Sequence, residues 1–472
     1  MAYAYFDHAA AAPLLPEARE AMLPFLGEEF GNPASLHRHG DKPRAAIEAA
    51  RAQVAALINS RPDDIVFTAS ASESNNLAIK GFALAKLPAL EREPKSPERD
   101  SPRPAEAGRN QGQSLRFRPH IVVSAIEHVS VLEPAKSLTK LGFDVTEVPV
   151  DSEGVVHPDK LEAAIRPETI LVSVMHANYE VGTVQNIKEL AAIAHKHKVP
   201  FHSDGTAAVG RIPVDVADLG VDAYTFPAMS VYGPKGAAAL YLKRGTRIPS
   251  LIEGGFQEKN RRAGTEDVAA IAGFGAAAAV TKAKLPEWSA TMAKLAQRIF
   301  KELPDKLDHV MFTGPVPLGT RSEIAGEGQS PHRQNGAQSG TVPAISVMSR
   351  ANRIPGQVSV VVEFVEGEAM LLFLDDEGIA AASGSSCSAK TLKASHVLLA
   401  MGLLHTKAQS SLVLTMGKDS TDADVTHFLD KLPPIAQRLR QMSPLYAKFM
   451  KGEDPYALKP GDSCDEHEPS EE

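Results

Sequence analysis

HIVVSAIEHVSVLEPAKSLTKLGFDVTEVPV, residues 120–150, holds two apolar runs around a segment of different period. His120–Ile126 and Asp144–Val150 are rich in Val and Ile, as strands buried on both faces are. Between them Val129–Leu141 carries apolar residues at helical spacing, so the stretch predicts strand, helix, strand. The same alternation extends outward. Helices are predicted at Pro16–Phe30, Lys42–Asn59 and Ile187–Lys198, and strands at Ile170–His176, Val199–Ser203, Ala223–Pro227 and Ala237–Leu242. An α/β chain with a mostly parallel sheet, helices on both faces, follows from this order.

The chain has 472 residues, 43% of them hydrophobic and 23% charged, enough to bury a large core. Its 50 basic and 58 acidic residues give a net charge of -8, and the basic residues are scattered, which argues against a nucleic-acid partner. No uncharged apolar run is long enough to span a bilayer, so no membrane partner is expected. The two cysteines, Cys387 and Cys464, and an N-terminus without a secretory pattern predict a reducing, cytoplasmic setting.

A large domain is expected over 14–265, and a smaller C-terminal α/β domain over 1–13 and 266–455. An Ala-rich helix signal at Glu266–Lys284 and an amphipathic stretch at Pro286–Leu307 would bridge them. The charged, Pro-rich segment 91–118 reads as a disordered insertion, 317–357 as a loop insertion and 456–472 as a disordered acidic tail. Cys464 belongs to that tail, and its neighbouring carboxylates and histidine read as solvated charge, not a metal site.

Five blocks, YFDHAAAAP, FGNPASLHRHG, FTASASESNNLAIKG, YGPKG with RRAGT, and SGSSCSAKTLKASHVLLAMG, together resemble the cysteine desulfurases. These are class V aminotransferases that use pyridoxal phosphate to move sulfur out of L-cysteine. The resemblance implies fold type I, with a mostly parallel seven-stranded sheet in the large domain and a smaller C-terminal α/β domain. It also implies roles for particular residues. Ser72, in the turn Ser70–Ser74, would help hold the cofactor phosphate at a helix N-terminus, although taken alone it reads first as an ordinary helix cap. His128 would stack over the pyridine ring and move protons, and Asp204 would pair with the ring nitrogen. Cys387 would attack the substrate sulfur as a thiolate and carry it as a persulfide. Arg262 and Thr265 would reach toward the cofactor phosphate of a second subunit.

The resemblance fails at the ligand. Where the family has Ser-Gly-His-Lys this chain has Pro227, Ala228, Met229 and Ser230, and a serine hydroxyl cannot form the Schiff base of the lysine. Lys235 follows in the next turn, but active members carry both lysines. Tyr179 replaces a cofactor-contacting asparagine, Ala207 a glutamine, and Val413 the arginine expected to clamp the substrate carboxylate. Ala11 and Ala12 stand where the family has Thr-Thr. The sequence therefore predicts a degenerate desulfurase-like protein of sulfur transfer or iron–sulfur assembly, with standard turnover impaired. Two alternatives stay open: an active class V enzyme binding pyridoxal phosphate noncovalently, and a noncatalytic heterodimer partner of an active desulfurase. The partners implied are a second copy or a related desulfurase, and an iron–sulfur scaffold or sulfur acceptor.

Overall fold

The computed structural model describes residues 3–86, 118–317, 352–384 and 394–456. Cys387, Cys464, the tail from 457 and nearly all of the two expected insertions lie outside these residues. Seven strands form one sheet in the order Ile65–Thr68, Ala238–Leu242, Ala223–Pro227, Phe201–Asp204, Thr169–Ser173, His120–Ser124, Asp144–Val148. The last five are mutually parallel, while Ala238–Leu242 runs antiparallel to both neighbours. Alternate residues serve opposite faces, as a pleated strand requires. Ile121 and Val123 pack with the helices Ala71–Leu84 and Val129–Thr139. Val122 joins the other layer with Val54, Leu190 and Phe274 from the helices Arg38–Leu57, Ile187–Lys196 and Val268–Lys306.

The helix Val268–Lys306 is continuous over 39 residues, where the sequence suggests two segments meeting at Pro286. Pro286 forfeits one backbone bond. The helix runs through it because Ala277, Ala278 and Thr281 are buried on one side and Met292, Leu295 and Ile299 on the other. Its first half lies in the core below the large sheet, and its second half packs on a three-stranded antiparallel sheet, Val310–Phe312, Gln357–Val362 and Ser411–Thr415. The helix Asp422–Met442 covers that sheet too. Trp288, the only tryptophan of the chain, packs against both cores, its ring edge-on to Tyr232 at 5.3 Å. The N-terminal strand Ala4–Tyr5 pairs with Ile379–Ala380, far away in sequence.

Other boundaries differ for local reasons. The first helix stops at Met22 and continues as one 3-10 turn, Leu23–Leu26, since Pro24 has no N–H to extend an α-helix. The second begins at Arg38, four residues early, and keeps Pro43 inside. Pro43 leaves the His39 carbonyl without its helical donor, and Gly31 passes so close to that oxygen that a Cβ there would meet it at 1.9 Å.

The sheet interior is also tied by side chains. His120 bridges Thr169 at 2.9 Å and Thr146 at 2.8 Å, and His202 bridges Ser173 at 2.8 Å and Thr225 at 3.1 Å. His176 meets the Tyr224 hydroxyl at 2.8 Å. Glu127, fully buried, accepts from the Ser124 hydroxyl and the Met175 N–H, both at 2.6 Å, while its second oxygen has no partner among the described residues.

Burial lowers the pKa of His8, His120, His176 and His202 to about 4 and raises Glu127 to about 8 and Glu180 to about 7. The histidines are neutral in the fold but protonate below 6.5 when it opens, so their contribution is lost as pH falls from 6.5 toward 4. The glutamates hold a proton in the fold that the unfolded chain releases above 4.5, so theirs is lost as pH rises from 4.5 through 7 to 8. Thermal unfolding followed by circular dichroism should show a melting temperature that climbs to a maximum near pH 6.5 and then declines, and Glu127→Gln should flatten the alkaline decline. A second expectation concerns the crossing of helices Arg38–Leu57 and Val268–Lys306, where a Cβ on Gly275 would lie 2.5 Å from the Ala50 Cα. Gly275→Val should cost roughly 1–3 kcal/mol in denaturant unfolding.

Candidate active site

Parallel strands end at a common edge, and a cavity of about 610 Å³ opens there. Asp204 is the last residue of its strand, Pro227 of the next, and Met175 and Ala177 follow Thr169–Ser173. The turn after Ile65–Thr68 supplies Ser70, Ala71 and Ser72, and the turn after His120–Ser124 supplies His128. The opposite wall comes from the N-terminal segment, with Asp7, Ala9 and Ala10, and from the C-terminal half, with Ala382, Gly384 and Val413.

The structure thus brings Ser72, His128, Tyr179, Asp204, Ala207, Met229 and Val413 around one space. Three other sequence candidates among the described residues are not lining residues. Ser230 donates its hydroxyl to the Thr206 carbonyl at 2.7 Å. Arg262 pairs with Glu73 of its own chain at 2.9 Å, and Thr265 is exposed. Cys387 lies outside the described residues.

His128 and Asp204 are joined by a buried relay. The His128 Nδ1 accepts the Ser130 N–H at 3.1 Å and lies 2.8 Å from the Ser130 hydroxyl. That hydroxyl accepts from the Asn75 amide at 2.8 Å, and the same amide donates to Asp204 at 2.7 Å. The other Asp204 oxygen accepts the Thr206 N–H at 2.8 Å. With Nδ1 accepting, a neutral His128 carries its proton on Nε2. Burial keeps it neutral by lowering its pKa, against the opposing charge of Asp204. The Tyr179 ring stands edge-on to the imidazole at 5.4 Å.

The helix start at Ala71 is capped by Ser70, not Ser72. The Ser70 hydroxyl accepts the Glu73 N–H at 3.1 Å, and the Glu73 carboxylate takes the Ala69 N–H at 2.9 Å. The segment leading to Arg262 is pinned by the buried pair of Arg51 and Glu258, bidentate at 2.8 and 2.7 Å, with Phe67 N–H on the same carboxylate. That anchor holds Glu258, Lys259 and Asn260 at positive φ, 47°, 57° and 65°.

Sequence reasoning missed Glu180. It lines the cavity at 1% exposure, its Oε2 accepts the Ser395 hydroxyl at 2.7 Å, and its Oε1 has no partner among the described residues. The signal was a carboxylate inside HANYEVGTV, a stretch otherwise fit for burial. Asp7 and Lys235 also line the cavity, the lysine from an exposed position.

Residues 4–91 and 107–328 match the aminotransferase class V family. The cysteine desulfurase IscS 1 of Archaeoglobus fulgidus is 40% identical over 444 residues, 94% of this chain and 100% of that protein. The cysteine desulfurase IscS of Dictyoglomus turgidum is 39% identical, covering 93% and 96%. A solved structure described as a NifS-like protein superposes with a TM-score of 0.74 at 29% identity, over 93% of this chain and 100% of that one. The sheet order, the cavity at its edge and these matches agree: the chain belongs to the aminotransferase class V family and is a homologue of the cysteine desulfurases.

Proposed function

We propose that this chain serves sulfur transfer or iron–sulfur assembly without covalently held pyridoxal phosphate, on which its family depends. One observation carries the reading. At the lysine position the Ser230 hydroxyl is turned to the Thr206 carbonyl, and the thioether side chain of Met229 lines the cavity beside it. A hydroxyl forms no imine, so the residues do not fit the family's covalent cofactor linkage at this position. Val413 offers no charge to a substrate carboxylate, and Tyr179 and Ala207 offer the cofactor neither of the amides the family uses.

What remains for sulfur is Cys387. Its thiolate attacks the outer sulfur of a donor persulfide, the donor S–S bond breaks, and the donor leaves as a thiolate while Cys387 holds the persulfide. A second copy or a related desulfurase, and a scaffold or sulfur acceptor, complete the proposal. The 97% exposed Leu36 and 86% exposed Phe256 are apolar surface that another chain would cover. A reducing cytoplasm suits a persulfide carrier.

Asp204, His128 and Ser72 in one cavity favour a second reading, noncovalent binding of pyridoxal phosphate, and Lys235 supplies an amine at the rim. Borohydride reduction after incubation with pyridoxal phosphate, followed by peptide mass analysis, separates the readings. A stoichiometric adduct is expected only in a Ser230→Lys variant. An adduct on Lys235 of the unmodified chain, with sulfide release from L-cysteine that Cys387→Ala abolishes, would overturn the proposal. Labelled sulfane sulfur from a persulfide donor should load the unmodified chain and fail to load Cys387→Ala.

A further inference from the structure

We propose that Asn75 and Ser130 are positioning residues that fix His128 in one tautomer, with its proton on Nε2, and so make it a hydrogen-bond donor of the cavity and not a proton shuttle. Unlike the preceding reading, this holds whatever molecule the cavity takes.

Chemistry assigns the direction of each bond. A carboxylate oxygen only accepts, so the atom facing Asp204 Oδ2 at 2.7 Å is the amide nitrogen of Asn75. The same nitrogen lies 2.8 Å from the Ser130 Oγ, which therefore accepts from it as well. A hydroxyl has one hydrogen, and with Oγ accepting from Asn75 that hydrogen turns to the His128 Nδ1 at 2.8 Å. Donation thus runs outward from Asn75, one way to Asp204 and the other through Ser130 to His128.

The backbone closes the alternative. His128 is the N-cap of the helix Val129–Thr139, and its Nδ1 accepts the Ser130 N–H at 3.1 Å. That N–H cannot turn away, so a proton on Nδ1 would point at another proton. With two donors on Nδ1, the hydrogen of the neutral ring belongs on Nε2. A helix N-terminus also disfavours an imidazolium, the pattern in which a histidine works as a neutral donor. The charged groups around the ring oppose one another. Asp204 favours the imidazolium, while burial and His396, whose Nε2 donates to the Glu127 carbonyl at 2.9 Å, disfavour it. The Tyr179 ring on one side and the Asn75 amide beyond Ser130 bring no charge.

Asn75 itself shows what the arrangement costs. It is fully buried, and its carbonyl oxygen has no partner among the described residues. An unsatisfied buried acceptor is unfavourable. An aliphatic side chain of similar size would avoid that penalty but would leave Asp204 and Ser130 each short of a donor. The two bonds of the amide nitrogen are what an asparagine contributes here.

The test is nitrogen-15 NMR of the full chain labelled at histidine, with His128 assigned by the signal lost in His128→Gln. Long-range proton–nitrogen correlations of the unmodified chain should show the Nε2-protonated tautomer, with a titration midpoint below 6.5. Ser130→Ala and Asn75→Leu remove bonds that favour the neutral ring, so each should raise the midpoint by about one pH unit and weaken the tautomer preference. Ser130→Thr, which keeps the hydroxyl, should behave as the unmodified chain does. A merely structural role would lower the melting temperature of Ser130→Ala and Asn75→Leu and leave tautomer and midpoint untouched, and that result would overturn the proposal. A proton on Nδ1, or a midpoint at or above 6.5, in the unmodified chain would overturn it too, whether or not every variant folds.

Discussion

The helix Val268–Lys306 has to satisfy two hydrophobic surfaces at once, and the placement of everything else follows. Its first half fills the space beneath the large sheet with alanines and Phe274, and its second half closes the three-stranded sheet with Met292, Leu295 and Ile299. Both surfaces are covered by this one helix, so the hydrophobic gain on each is retained only while the helix stays continuous across Pro286. That rigid link fixes how Val413 and Ala382 face Asp204 and His128, and so creates the cavity.

Within that frame the cavity gathers residues from many separate parts of the chain. The turns at the sheet edge still present Ser72, His128 and Asp204 to one space, because backbone geometry and buried bonds to Asn75, Ser130 and Thr206 hold them. In the function proposed above, Ser230, Met229, Tyr179, Ala207 and Val413 stand where groups engaging an anionic, covalently held ligand would be expected. In that reading fold and chemistry separate, as they do wherever a site is grafted onto a scaffold.

The parallel strands were legible because Ile121, Val122 and Val123, buried on both faces, leave a pattern that little else produces. The strand Ile65–Thr68 was not among the predicted strands, its four residues being too short for periodicity to register. Pro43 and Pro286 misled in the same direction, since tertiary burial outweighed their local preference. Ser72 was read from the motif as a possible cap, but the cap is Ser70, a distinction that depends on backbone angles invisible in the sequence. Glu180 escaped notice because nothing in one line of sequence brings Gly384 and Ser395 beside it.

The placement of Trp288 has an optical consequence. As the only indole of the chain, wedged between the two cores and against Tyr232, it dominates the intrinsic fluorescence and samples the seam between the halves. Any event that parts the halves wets this one ring and shifts its emission to longer wavelength, so the protein carries its own spectroscopic gauge of opening without a dye or a label.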